Sequence, residues 1–126
     1  MAEQKEEKIT MTWKPYPIYP DYEVSTEGQV RRIKDGKLLK QYPKKSGYLA
    51  VFINTGRGYK PMPVHTIVAE TFLHRLPHQD RVDHINTIRS DNRVANLRWA
   101  DAKENANNPT TRVNMSKARH KNREHF

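Results

Sequence analysis

Three different spacings of apolar residues follow one another along this chain of 126 residues. From Tyr22 to Ser25 apolar and polar positions alternate, as they do in a strand with one buried face. Glu27-Gly28 marks a tight turn, and Gln29-Val30-Arg31-Arg32-Ile33 reads as the returning strand. Asp35-Gly36 is a second turn, with Leu38-Leu39 after it. Tyr48 to Ile53 and the segment from Tyr59 onward form a further pair around a turn at 54–58. Pro15, Pro17 and Pro20 keep the backbone before them extended or turning and argue against a helix there. Together these segments predict one small antiparallel sheet.

The spacing becomes helical at Pro63. Val64, Ile67, Val68, Phe72 and Leu73 recur on one face, Ala69 fits among them, Pro63 suits the start and Pro77 the end. The predicted helix runs over 63–76 and supplies core to the elements on either side. His65 lies in its first turn as a core or supporting residue, and His74 and His78 fall on the surface near its end.

The third pattern is compressed into two dozen residues. Val82-Asp83-His84-Ile85 suits a short strand, with β-branched residues at both ends. Positions 86–92 are rich in Asn, Thr, Ser and Asp and read as a loop. Leu97-Arg98-Trp99 suits a second strand, with Trp99 as core bulk. Asp101, with Glu104 three residues on, has the form of a helix-starting capping box. The class is therefore α+β: a small N-terminal antiparallel sheet, a central helix, then a hairpin followed by a helix. Asp83, His84, Asn96 and Asn105 are four polar residues that this last unit would gather at the mouth of the fold.

Composition narrows the partners. The formal net charge is +9 and the apolar fraction 35%, so the core is small and a polyanion, most simply nucleic acid, is the natural partner. Arg31, Arg32, Lys44 and Lys45 belong to a basic run interleaved with Tyr42 and Tyr48 that suits a phosphate backbone. Arg112, Lys117 and Arg119 extend the charge into the C-terminal segment, and Arg98 suits either a phosphate or a strand surface. The absence of cysteine excludes disulfides and a Cys-ligated zinc. No apolar run has the character of a signal peptide or a membrane span, so no membrane partner and a cytoplasmic setting are expected.

The stretch from Val82 to Asn105 resembles the ββα-metal motif of HNH endonucleases, particularly the phage and intron-encoded homing endonucleases. The resemblance rests on Asp83-His84, the Asn-Leu-Arg-Trp run at 96–99 and Glu104-Asn105. Trp13, Ile18, Tyr22-Glu23-Val24-Ser25, Gly28 and Val30-Arg31-Arg32 resemble the short DNA-associated module that often precedes such a domain. The resemblance implies a metal-dependent endonuclease acting on double-stranded DNA in a phage-infected or host bacterial cell. It implies Asp83 and Asn105 as metal ligands, His84 as general base and Asn96 as its support. An oxygen-rich, thiol-free site favours Mg²⁺ or Mn²⁺. It also divides the chain into a tail over 1–12, a β-rich module over 13–62, a nuclease domain over 63–108 and a basic tail or helix over 109–126. Two alternatives stand beside it: a nucleic-acid-binding module with an inactive site, and an accessory nuclease of phage DNA packaging. No stretch specifies a dimer seam, so monomer and homodimer are both open.

Overall fold

The computed structural model describes residues 11–108, and the expectations for 1–10 and 109–126, Arg112, Lys117 and Arg119 among them, lie outside the described residues. The predicted single sheet is two. The first has the order β1 (Trp13–Pro15), β2 (Tyr22–Ser25), β3 (Val30–Arg32), all antiparallel, with Trp13 opposite Ser25 and Val24 opposite Val30. The second has the order β4 (Tyr42–Pro43), β5 (Leu49–Asn54), β6 (Tyr59–Pro63). The chain leaving β3 stays paired with it only briefly, through an Arg31–Leu38 bridge and a Leu39 N–H to Val30 carbonyl bond. It then departs to found the second sheet. Tyr22 ties the two sheets together, its hydroxyl accepting from the Asn54 N–H at 2.9 Å.

The split follows from what must be covered. One short helix, α1 (Val64–Phe72), carries the apolar stripe of the chain, with Val64, Ile67 and Val68 fully buried. Val24 and Val30 from the first sheet, Val51 and Ile53 from the second, and Leu97 from the hairpin beyond it form one cluster with those residues. Burying each such side chain stabilises the fold by roughly 1.5–3 kcal/mol. A single flat sheet would cover one side of the helix; two small sheets wrap it.

Strand β6 runs directly into α1, and Pro63 stands at the junction as the N-cap in extended conformation, still paired with Ala50. The helix ends at Phe72, earlier than the Leu76 predicted. Leu73 is already extended and its N–H closes the last turn on the Ala69 carbonyl. The Trp99 indole N–H reaches the Ala69 and Leu73 carbonyls, each at 3.3 Å, and covers the helix end. Beyond it the backbone turns around buried Gln79, whose side-chain oxygen accepts from the Leu76 N–H and whose carbonyl accepts from Arg75. These long-range and side-chain bonds, rather than Pro77, end the helix.

The last unit is the antiparallel hairpin β7 (Arg81–His84) and β8 (Leu97–Ala100), followed by α2 (Ala102–Ala106). The capping box at Asp101 and Glu104 forms in full: the Glu104 N–H donates to Asp101 Oδ1 at 2.7 Å, and the Asp101 N–H to Glu104 Oε1 at 2.9 Å. The N-terminal sheet reaches this unit through one turn. Ser25 Oγ accepts from the Glu27 and Gln29 N–H groups, which shapes the turn at Gly28. Gly28 has φ +86°, and a Cβ there would lie 2.8 Å from the Asn92 carbonyl oxygen. Val94 N–H donates to the Thr26 carbonyl beside it.

Candidate active site

Asp83 and His84 end strand β7, and both are buried, 6% and 5% exposed. Strand alternation turns them to opposite sides. Asp83 shares its face with its cross-strand partner Arg98, and His84 shares the other with Leu97, which belongs to the core against α1. Arg98 Nε donates to Asp83 Oδ2 at 2.9 Å while its Nη2 donates to the Glu104 carbonyl at 2.8 Å, so one guanidinium joins the strand to α2. Asn108 completes this side: its amide nitrogen lies 2.7 Å from the same Asp83 oxygen and 3.3 Å from the His84 carbonyl. Both bonds fall on Oδ2, and Oδ1 takes no hydrogen bond among the described residues.

His84 is fixed through Nε2, which lies 2.7 Å from Asn92 Oδ1. With the amide oriented that way, the ring carries its proton on Nε2 and presents the Nδ1 lone pair, which has no hydrogen-bond partner among the described residues. Asn92 is itself buried at 4% exposure. The ring also packs against two others. His65 lies 5.1 Å from it and Tyr48 5.8 Å, centroid to centroid, and those two are 4.8 Å apart. Burial, with the charges of His84 and Lys44 adding to it, pushes His65 down to about 4.

Asn96, expected to support the His84 ring or its backbone, bonds the backbone that follows His84: its carbonyl accepts from the Ile85 N–H at 2.8 Å. Its side chain holds the loop rather than the His84 ring: Nδ2 donates to Asn86 Oδ1 and to the Asp91 carbonyl, both at 2.9 Å, and Oδ1 accepts from the Asn86 N–H. Asn86 Nδ2 donates to Asp91, and Arg93 grips Asp91 with two bonds of 2.8 Å, which hold its carboxyl down at about 2. The amide on the ring is Asn92, which looked like one turn asparagine among several. Nothing local separates it from Asn86; its role comes from the Gly28 turn packed beneath it. Asn105 sits half-buried on α2, and its side chain makes no hydrogen bond among the described residues. Asn108, beyond the end of α2, is an amide that the sequence reading did not single out.

Comparison with known proteins agrees with this geometry. Residues 11–54 match the NUMOD4 motif, and residues 63–107 match the HNH endonuclease family. DNA endonuclease I-HmuI of Bacillus phage SP01 is 37% identical over 111 residues, covering 86% of this chain and 64% of that protein. Over residues 63–107 the chain is similar to the HNH endonucleases. The uncharacterized HNH endonuclease L245 of Acanthamoeba polyphaga mimivirus is 32% identical over 99 residues, 79% of this chain and 30% of that protein. A solved structure of DNA binding and cleavage by the HNH homing endonuclease I-HmuI superimposes with a TM-score of 0.68 at 34% identity, over 86% of this chain and 64% of that one. The chain thus spans between 30% and 64% of the length of these relatives.

Within this HNH fold the basic residues separate into two groups. Arg31 is taken by Glu23 at 2.6 Å and lies over the Trp13 ring, and Arg32 is paired with Asp35 at 2.8 Å. Cross-strand and turn carboxylates thus partner the two guanidinium groups expected to track phosphates. Arg98 is engaged with Asp83 in the same way. Lys44 and Lys45 stand exposed on the β4–β5 turn, and the charge of Lys44 reaches His65.

The HNH unit also carries a His/Asp/Glu cluster able to hold a divalent cation. The ligand atoms of His78, Asp101 and Glu104 lie within 4.8 Å of one another. His78 is 52% exposed on its side chain, and it stands where Asp101 and Glu104 start α2. No helix of the described residues is long and apolar enough to cross a membrane.

Proposed function

We propose that this chain is a metal-dependent DNA endonuclease that hydrolyses phosphodiester bonds at the His84 end of the hairpin. The observation that carries the reading is the buried Asp83–His84 pair, with a carboxylate oxygen and a ring nitrogen left unbonded between bonded neighbours. Asp83 Oδ1 and His84 Nδ1 have no hydrogen-bond partner among the described residues, while the other oxygen of Asp83 and the other ring nitrogen of His84 are held, so both atoms are available to other groups.

His84 is the general base. Nε2–H donates to Asn92, and Nδ1 takes a proton from the water whose oxygen attacks phosphorus as the bond to the leaving 3′ oxygen breaks. Asp83 Oδ1 and the Asn105 side-chain oxygen are the ligands for one divalent ion, Mg²⁺ or Mn²⁺ by the hardness of the donors, and Asn108 holds the Asp83 carboxylate in orientation. When bound, such an ion supplies charge neutralisation at the scissile phosphate and the leaving oxygen. Lys44 and Lys45 are the side chains offered to flanking phosphates of double-stranded DNA.

The His78 cluster is the competing seat for the ion, and two observations turn the reading away from it. One oxygen of each carboxylate is committed to the helix cap, and both side chains are open to water where Asp83 is buried: Glu104 Oε1 accepts from the Asp101 N–H and from Gln79, and Asp101 Oδ1 accepts from the Glu104 N–H. It also lies at the Arg81–Ala100 end of the hairpin, so strand rise separates it from His84 by roughly 10 Å.

The test is conversion of supercoiled plasmid with Mg²⁺, Mn²⁺ or EDTA, comparing the parent with His84→Ala. The parent should give nicked or linear DNA only with metal, and the variant should lose about 10²–10⁴-fold in rate while still shifting DNA in a gel. DNA shifted by both proteins and cut by neither, with an intact phage genome also tried as substrate, would replace this reading with that of a binding module.

A further inference from the structure

His65 has no place in the chemistry just described, yet it is built against it. Its Nδ1 is buried without a hydrogen-bond partner among the described residues, where buried polar atoms rarely go unpaired. Nδ1 therefore holds nothing among the described residues, and what His65 brings to its neighbours is the packing of its ring. That ring packs against both Tyr48 and His84, at 4.8 and 5.1 Å centroid to centroid and tilted by 30° and 54° to them, and Tyr48 also lies 5.8 Å from His84, so the three rings form a triangle. These are ordinary separations for aromatic pairs.

We propose that His65, backed by Tyr48, is a positioning residue that fixes the plane of the His84 ring, so that the Nε2–H keeps its bond to Asn92 and Nδ1 faces the reacting water. A single hydrogen bond to Asn92 leaves a ring free to rotate about the line of that bond. The stacked rings remove this freedom. Tyr48 is in turn clamped from outside: Arg89 lies 5.0 Å over its ring and donates to the Ser46 carbonyl on the same turn. The wall is thus continuous from the β4–β5 turn through α1 to the end of β7. Burial keeps His65 uncharged at neutral pH, so it adds no repulsion when His84 takes up its proton. The inference rests on the nuclease reading for its consequence, but not for its geometry.

Two readouts on the whole chain test it. In nitrogen-15 spectra of the histidine rings, His84 of the parent should show one tautomer, protonated on Nε2. His65→Ala and Tyr48→Leu should average it towards both tautomers, and His65→Phe should keep it. In single-turnover cleavage, His65→Ala should be slower by about 10–100-fold, the cost of small misplacements of a reacting group, with DNA affinity unchanged. His65→Phe should restore most of that rate. Equal loss in His65→Phe and His65→Ala would overturn the proposal, because a nitrogen of His65 rather than its plane would then be at work. A His65→Ala protein that is less heat-stable but keeps the parent ring spectrum and rate would also overturn it, leaving His65 as packing alone. If the parent itself cuts no DNA, the nuclease reading falls and the ring spectrum alone decides the positioning.

Discussion

The two ends of the β7–β8 hairpin carry similar residues and differ in almost everything else. At one end stand His84 and Asp83 with Asn92 and Asn108 bonded to them; at the other, His78, Asp101 and Glu104. By ligand type alone the second end is the better metal cluster. By bonding it is not. Its oxygens satisfy the backbone N–H groups that open α2, and its histidine sits in solvent. The first end is buried, its polar atoms are held by neutral amides and one arginine, and it keeps a carboxylate oxygen and an imidazole nitrogen open. What marks a site is unspent bonding capacity held in place at a cost, not proximity of acidic groups.

The largest effect expected from this contrast is on Asp83. Asp83→Asn keeps the shape but removes the anionic oxygen, and metal-dependent plasmid cleavage should fall by about 10²-fold or more. Asp101→Ala, at the other end, should cost only about 1 kcal/mol of stability through loss of the cap, read as a lower Tm, with cleavage by the folded protein retained. A cleavage loss in Asp101→Ala as deep as that in Asp83→Asn would break the comparison.

Gly28→Ala sharpens it from a distance. The new Cβ would meet the Asn92 carbonyl at 2.8 Å in a left-handed turn, so the substitution should cost more than about 1 kcal/mol and displace the amide that holds His84. Thermal unfolding would show the first effect, and cleavage at a temperature where the variant is folded the second.

The smallest effect is a pH dependence of stability. His65 lies at about 4 in the folded chain against 6.5 for the free side chain. Between those values the unfolded chain binds a proton that the folded one does not, so stability is full above pH 6.5 and falls as pH drops towards 4. Thermal unfolding across this range should show a decline that His65→Phe makes shallower.

Local features were legible in the sequence and long-range ones were not. The Asp101–Glu104 box and the periodicity of Val64, Ile67 and Val68 are written within four residues, and they form as read. The end of α1 depends on the Trp99 indole arriving from 26 and 30 positions away, so no local signal could place it. Two sheets replace one because the helix needs cover on more than one side, which alternation within a strand does not record. The Arg31–Glu23 pair depends on the register of β2 against β3, which the sequence does not state. Among the loop asparagines, Asn92 acquires its role only because Gly28, 64 positions earlier, packs against its backbone.

The account is tested most directly by asking which end of the hairpin takes the metal. Mn²⁺ titrated into the isotope-labelled chain broadens the resonances nearest to it. The prediction is that signals of Asp83, His84 and Asn105 broaden first, and that Asp83→Asn abolishes the effect while His78→Ala does not. Broadening that starts at His78, Asp101 and Glu104, and survives Asp83→Asn, would contradict it.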